Sequence, residues 1–469
     1  MTHNLTRDFV ELLLDWPADS AALQVRCKLL LLDGVAVAAA GAAQPGPTIL
    51  ADLARADGAG GAGGPGGPAT VIGHGFSAPV SVAARINGMS MHVLDFEPMW
   101  NPANHALSPL LPALLALAQQ REGCVGGLVG SPGSPAIMQG SAVLRALAKG
   151  IEAQGRLRLS SNQFEPAQLT LHPPGVVGPI ACALACADLL GLDAQAATMA
   201  VGIAASRCGA LLANVGSHTK ALHCGDAAAH GLEAALLAER GFTANADVLA
   251  GPRGWGHAFF GAKFDAKPLL APIGEGRALV PGPSWKLYPS QFGTHFGITA
   301  ALDARARLGP VQASDISRIE LRTPAMPYID RPVPGTGLEG KFSWQYTATL
   351  ALLDGKVEPA TFTDERRHAP DVDALLKRFV LIADAGIPGT FDAMHVVITV
   401  HLTNGSVVSA RCDAPLGSWR QPVGDDLILA KARSLLEAAV GTDRMLATLD
   451  AVARPLAAFS IRELLAALS

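Results

Sequence analysis

Aromatic side chains make up only 5% of this 469-residue chain, although 49% of it is hydrophobic. The apolar content is therefore mostly Ala, Leu and Val, which suits closely packed helices and argues against an aromatic-rich sheet sandwich. Charge is also sparse, at 16% of residues, and the 36 basic and 40 acidic groups are spread out, with no basic block to follow a phosphate backbone. Nucleic acid is not expected as a partner. The apolar runs at 107–118 and 176–192 fall short of the ~20 residues of a spanning helix, and the second carries Asp188, so no membrane span is expected. Seven cysteines form no regular framework, and the opening Met-Thr-His-Asn-Leu-Thr-Arg-Asp lacks a basic-then-apolar signal. Free thiols and a cytoplasmic location are the expectation.

Motifs that would announce a metal or a cofactor are missing as well. There is no H-E-x-x-H, paired C-x-x-C, EF-hand loop, G-x-S-x-G elbow or Walker lysine loop. Cys182 and Cys186 stand four apart in an Ala/Leu helical pattern, where thiols act as small hydrophobes. Gly58, Gly60 and Gly63 formally spell G-x-G-x-x-G, but a dinucleotide fingerprint follows a strand and opens a helix. This one follows a helical pattern and leads into the strand-like 69–73, so it reads as a low-complexity loop. No cofactor and no metal are expected, which leaves acid/base chemistry on an anion.

What is present falls into three blocks. Helical patterns occupy 20–40, capped by Asp19 or Ser20, then 47–56, 80–92, 107–120, 136–154, 177–190, 194–207, 225–240 and 244–249. The texture changes with the alternating run 316–321 and with 396–402 and 407–411, which flank the hairpin signal Thr403-Asn404-Gly405. Helical stretches at 294–307, 344–353 and 371–380 lie among these strands, so the block is α+β. After Pro415, three short helices at 425–439, 442–449 and 461–468 could hardly bury a core alone and should rejoin the first block. The expected fold is mainly α. A large all-helical domain is formed by both chain ends, 1–267 and 415–469, with a smaller α+β lid domain, 268–414, inserted between them.

Polar residues with chemical potential concentrate in a few segments. Asp95 and His105 lie ten positions apart across a loop stiffened by Pro98 and Pro102, beside an apolar helix. Ionisable groups held in that way are where perturbed pKa values and acid/base catalysis arise; a helix-capping aspartate and a half-buried histidine are the alternative. Lys220, in Gly216-Ser-His-Thr-Lys220, precedes a helix of small residues that could wall it in, ready for an anionic ligand. A second lysine, Lys286, stands in Trp285-Lys286-Leu-Tyr-Pro-Ser-Gln291. Either lysine could equally be a solvated surface group. His172 precedes a proline-primed helix start, whose free N–H groups and dipole attract carboxylates, or it is structural.

These segments, in this order, resemble the 2-methylcitrate dehydratase family, MmgE/PrpD, which includes cis-aconitate decarboxylase and iminodisuccinate epimerase. The likeness spans nearly the whole chain. It is carried by Asn87-Gly88 through His92-x-x-Asp95-Phe96 to His105, by Leu171-His172-Pro, and by Thr219-Lys220-x-Leu-His223-x-Gly225. Lys286-x-Tyr-Pro289 and Phe342-Ser-x-Gln-Tyr-x-Ala-x-x-x-Leu-Leu-Asp-Gly355 complete it. The resemblance implies a homodimer and an active site in the cleft where lid meets helices. It implies a cofactor-independent lyase for a small di- or tricarboxylic acid, dehydratase-like or decarboxylase-like, working by proton transfer next to a carboxylate. An epimerase of an amino-dicarboxylate, or a carboxylate binder without activity, are the alternatives. Matched position by position to the decarboxylase pocket, His105, Asp95, Lys220 and His172 take catalytic roles, while Lys286 and Tyr328 bind substrate. Three departures stand out. Asp95-Phe-Glu-Pro-Met99 replaces the common Asp-Phe-Asp-Asp-Thr, Gln291 takes the place of a decarboxylase histidine and is read as substrate-binding, and Asp226 stands where many members carry arginine or a neutral polar residue.

Overall fold

Small residues decide how closely the main helices approach. In the computed structural model, which describes residues 4–60, 66–123 and 140–469, the helix Val80–Val93 lies against His218–Glu239 with Gly88 facing Gly225. A Cβ on Gly225 would stand 2.2 Å from the Arg85 carbonyl oxygen, and one on Gly88 would stand 2.9 Å from the Gly225 Cα. Only glycine fits at this crossing, which aligns His92 on one helix with Lys220 on the other. Gly225→Ala is therefore expected to cost ~1–3 kcal/mol through overpacking, read as a lower urea midpoint.

Helices account for 57% of the described residues and strands for 9%, so the fold is mainly α. The larger interior draws on residues before position 286 and again on Ile428, Leu436, Ile461 and Leu464 from the C-terminal helices. Asp425–Val440 docks on Ala21–Ala42, where the Lys431 ammonium stands 2.9 Å from buried Asp33. Ser20 caps Ala21–Ala42 by accepting the Leu23 N–H at 3.3 Å. Pro173–Leu190 is long and apolar enough to cross a membrane, but 83% of it is buried against neighbouring helices, so it serves as a core helix.

A second interior gathers around a four-stranded sheet ordered Phe379–Ala383, Ile316–Thr323, Val396–Leu402, Val407–Cys412. The first pair is parallel and the others antiparallel, with Leu321 opposite both Leu381 and Ile398. Helices Phe292–Leu308 and Trp344–Asp354 complete this interior, and Met99 and Val215 reach into it from the helical part.

Four local expectations are corrected. The helix expected at 371–380 stops at Leu376, and Phe379–Ala383 is a strand, because its branched and aromatic run completes the parallel edge of Ile316–Thr323. No helix forms at 244–249, where the Asn245 side chain accepts the Asp247 N–H at 2.9 Å in a competing turn. The helix expected from 225 begins at His218, which puts Lys220 in its first turn. The helix expected at 136–154 runs Gly140–Ser160, with 136–139 and Gly63 outside the described residues.

Candidate active site

The helix Val80–Val93 ends in Leu94, and Asp95 follows with φ of 49°, a left-handed conformation uncommon for a residue with a Cβ. Two lysines meet its carboxylate. Lys220 donates to Oδ2 at 2.8 Å. Lys286 donates to Oδ1 and, at 3.0 Å each, to the backbone oxygens of Asp95 and Ser290. The segments are joined by paired backbone hydrogen bonds, Met99 N–H to Ser284 O at 3.1 Å and Ser284 N–H to Met99 O at 2.7 Å.

Four imidazoles surround this ion triad. The Lys220 Nζ lies 2.9 Å from His92 Nε2. An ammonium has only hydrogens to offer, so Nε2 accepts and the ring proton sits on Nδ1, which donates to Glu97 Oε1 at 2.6 Å. Ser108 adds its N–H to Oε2 at 2.9 Å and its hydroxyl to Oε1 at 2.6 Å. His105 packs edge-on against His92 with ring centres 4.6 Å apart; its Nε2 is 3.7 Å from Asp95 Oδ1 and its Nδ1 3.6 Å from Glu97 Oε1. His172 lies 5.3 Å from the His92 ring, with its Nδ1 3.3 Å from Nδ1 of His223.

Burial and charge set the protonation states. Burial alone would raise the Asp95 pKa, but Lys220 and Lys286 together outweigh it and hold the carboxyl well below its usual range. Burial, reinforced by the lysines, pulls His92, His105 and His172 well below the ordinary imidazole value. His105 is thus a neutral ring at pH 7, able to accept a proton. Burial pushes the Glu97 acid up to about 8 against the hydrogen bonds from Ser108. Burial brings Lys286 down to about 8 with Asp95 opposing. The Lys286 ammonium is present below that value and lost above it, leaving Asp95 with one cation. Where this ammonium is required, kcat/KM should fall roughly tenfold per pH unit above its pKa, which a pH–rate profile checks.

A cleft of about 540 Å³, counting its mouth, opens over these groups and is lined by Asp95, His105, His172, Lys220, Gln291 and Tyr328 together with apolar residues. The sequence-derived residues therefore converge, with two qualifications of role. Lys286 is fully buried, lies outside the lining and directs its hydrogen bonds to Asp95 and Ser290, so the structure gives it to Asp95 and not to a ligand. Gln291 accepts the Gly293 N–H at 2.6 Å, capping Phe292–Leu308, and donates to the Tyr328 hydroxyl oxygen at 3.0 Å. The Tyr328 proton is left free to donate into the cleft.

The helix start after His172 is not the anion seat expected of it. Pro173 and Pro174 have no N–H, and the Gly175 N–H donates to the His172 oxygen at 3.1 Å. Two residues without assigned roles in the sequence reading belong to the site, His92 and Glu97. His92 lies in the last turn of Val80–Val93, three residues before Asp95, a spacing that could have marked it. Lys341 lies fully buried behind them, donating to the oxygens of Leu94 and Pro289, and burial brings it to about 7. His92 with Glu97 and His105, or with His172 and Cys224, brings ligand-type atoms within 4.8 Å of one another. A cation on His92 Nε2 would have to displace the Lys220 ammonium, and one on Nδ1 would have to displace the ring proton held by Glu97.

The chain is similar to known proteins over most of its length. Cis-aconitate decarboxylase of Mus musculus is 33% identical over 365 residues, covering 76% of this chain and 72% of that protein. The Homo sapiens cis-aconitate decarboxylase is 34% identical over 362 residues, with 76% and 72% covered. The 2-methylcitrate dehydratase of Cupriavidus necator is 27% identical over 379 residues, with 76% and 75% covered. Both names denote lyases. Residues 7–267 match the MmgE/PrpD N-terminal domain and residues 288–454 the MmgE/PrpD C-terminal domain, and the chain belongs to the MmgE/PrpD family.

Proposed function

We propose that the protein is a cofactor-independent lyase acting on a small di- or tricarboxylic acid, by moving a proton at the carbon beside a carboxylate. One observation carries this reading: an ionised aspartate clamped between two lysines stands 3.7 Å from a neutral imidazole in the wall of a mostly apolar cleft. A substrate carboxylate is received by Lys220 and the Tyr328 hydroxyl. In dehydration, His105 takes the proton from the carbon beside the carboxylate, and the electron pair left there forms the double bond as hydroxide departs from the next carbon. In decarboxylation, the carbon–carboxylate bond breaks, carbon dioxide leaves, and the electron pair on carbon takes a proton from water passed on by His105, which ends neutral as it began, with hydroxide left to solvent. Both routes develop enediolate-like charge, which the fixed Lys220 ammonium stabilises in a site poor in water. Asp95 and Lys286 hold Lys220 in place.

The family's decarboxylase and dehydratase members support a lyase. Incubation in deuterated water with hydroxy-tricarboxylate, unsaturated tricarboxylate and amino-dicarboxylate substrates tests it. Carbon dioxide release, or alkene formation with deuterium in recovered substrate, is the expected result. Inversion of the amino-dicarboxylate alone would make the protein an epimerase, and thermal stabilisation without turnover would make it a binder; either would overturn the lyase reading.

A further inference from the structure

Cationic side chains are few in the cleft. Among the described residues that line it, Lys220 is the one lysine and arginine is absent. The segments 1–3, 61–65 and 124–139 contain neither residue type. Lys220 and Lys286 share Asp95, so the ion triad has a surplus of one positive charge. Two nearby arginines are turned to the backbone: Arg158 donates to the Ala103 oxygen at 3.1 Å, and Arg331 to the oxygens of Val215 and Tyr328 at 2.6 and 3.2 Å. Neither lines the cleft.

Away from Lys220, Asp95, Asn104, the two imidazoles, Gln291 and Tyr328, the wall is hydrocarbon and thioether. Met99, Phe292, Phe342 and Phe391 are each no more than 3% exposed, and Leu212 and Val215 continue the surface. Phe292 is itself braced edge-on by Phe391 at 5.2 Å and stacked on Trp419 at 5.6 Å, so this wall cannot easily turn a polar group inward. Phe342 lies under the Lys220 ammonium at 4.9 Å, which places the apolar wall directly beside the carboxylate seat. A second or third carboxylate on this wall would be desolvated against phenyl rings and a thioether with no cation to meet it, and that is unfavourable.

From the charge surplus and the apolar wall we infer that the preferred substrate is a mono- or dicarboxylate with a hydrocarbon substituent, and that Met99 and the phenylalanine wall determine this specificity. The inference rests on the acid-binding function proposed above and narrows its substrate class. The substituent lies against Met99 and Phe391 while the carboxylate meets Lys220.

Calorimetric binding of succinate, methylsuccinate, propylsuccinate and propane-1,2,3-tricarboxylate to the full chain tests it. Affinity is expected to rise about fourfold per added methylene, and propylsuccinate to bind at least ~10-fold more tightly than the tricarboxylate, a difference of one decade in Kd. Met99→Lys should reverse that order, and the milder Met99→Thr should reduce the propyl advantage even if the lysine variant fails to fold. The inference is overturned if the wild-type protein binds the tricarboxylate as tightly as propylsuccinate, or if Met99→Thr leaves the ratio unmoved. If none of the four acids binds, the proposed acid-binding function falls, and this inference falls with it.

Discussion

Asp95→Asn is expected to lower the free energy of unfolding by ~3–5 kcal/mol, the usual consequence of removing one partner from a buried ion pair. The amide keeps the size of the side chain, and asparagine tolerates a left-handed backbone, so the φ of 49° adds little to the loss. What changes is charge. Lys220, 7% exposed, and Lys286, fully buried, would confront each other with no anion between them. Lys286, already brought to about 8 by burial with Asp95 opposing, would lose its proton more readily still. Released from Asp95, the Lys220 head group would shift, and a misplacement of an ångström in such a site costs ~10²-fold in rate.

Urea unfolding across pH isolates the electrostatic part. The Asp95 carboxyl is held well below its usual range in the folded protein, so its stabilisation is complete above the unfolded value of about 4 and disappears as pH falls through the folded value. Asp95→Asn should remove that portion of the acid dependence. A variant as stable as the parent at pH 7, with an unchanged acid limb, would show that the triad contributes nothing.

His105→Ala is expected to reduce kcat by ~10²- to 10⁴-fold, the range for a positioned acid/base group, with little effect on the fold. His105 supports the structure weakly: its Nδ1 has no hydrogen-bond partner, and its Nε2 is 3.7 Å from Asp95, beyond hydrogen-bond reach. Its ring lines the cleft, so water can occupy the vacated space. The measurements are turnover, melting temperature and recovery of rate with added imidazole, which would take the place of the removed ring in the lining. A variant that folds normally, loses turnover and regains part of it with imidazole behaves as expected. Undiminished turnover would remove His105 from the chemistry and leave His172 as the remaining imidazole of the lining.

Much of this architecture can be read along the chain because it depends on local pattern. The apolar periodicity of 80–92 and 194–207 and the Asn404-Gly405 hairpin between alternating runs report short-range preferences that tertiary contacts reinforce. The pattern misleads where a neighbour overrides it, as at Phe379–Ala383, whose run looks helical in continuity with Asp371 until a free strand edge is there to pair with it. Candidate site residues were visible as ionisable groups in stiff loops, and the family likeness joined them into one set. Their partnerships were not visible. Glu97 looked like a lengthened carboxylate in the place of an aspartate, yet it is the buried acceptor that orients His92.

The sequence alone determined the helical class, the inserted strand-bearing segment and the identities of the groups available for acid/base work, since these follow from composition, period and residue type. Tertiary structure alone decided which ammonium borders the cleft. Lys286 reaches Asp95 across 191 positions of chain and is fully buried, whereas Lys220 reaches the same carboxylate from a helix that borders the cleft. The physical reason is that an ammonium binds whichever acceptors the folded chain brings within about 3 Å of it, and no local pattern encodes where two distant segments will meet.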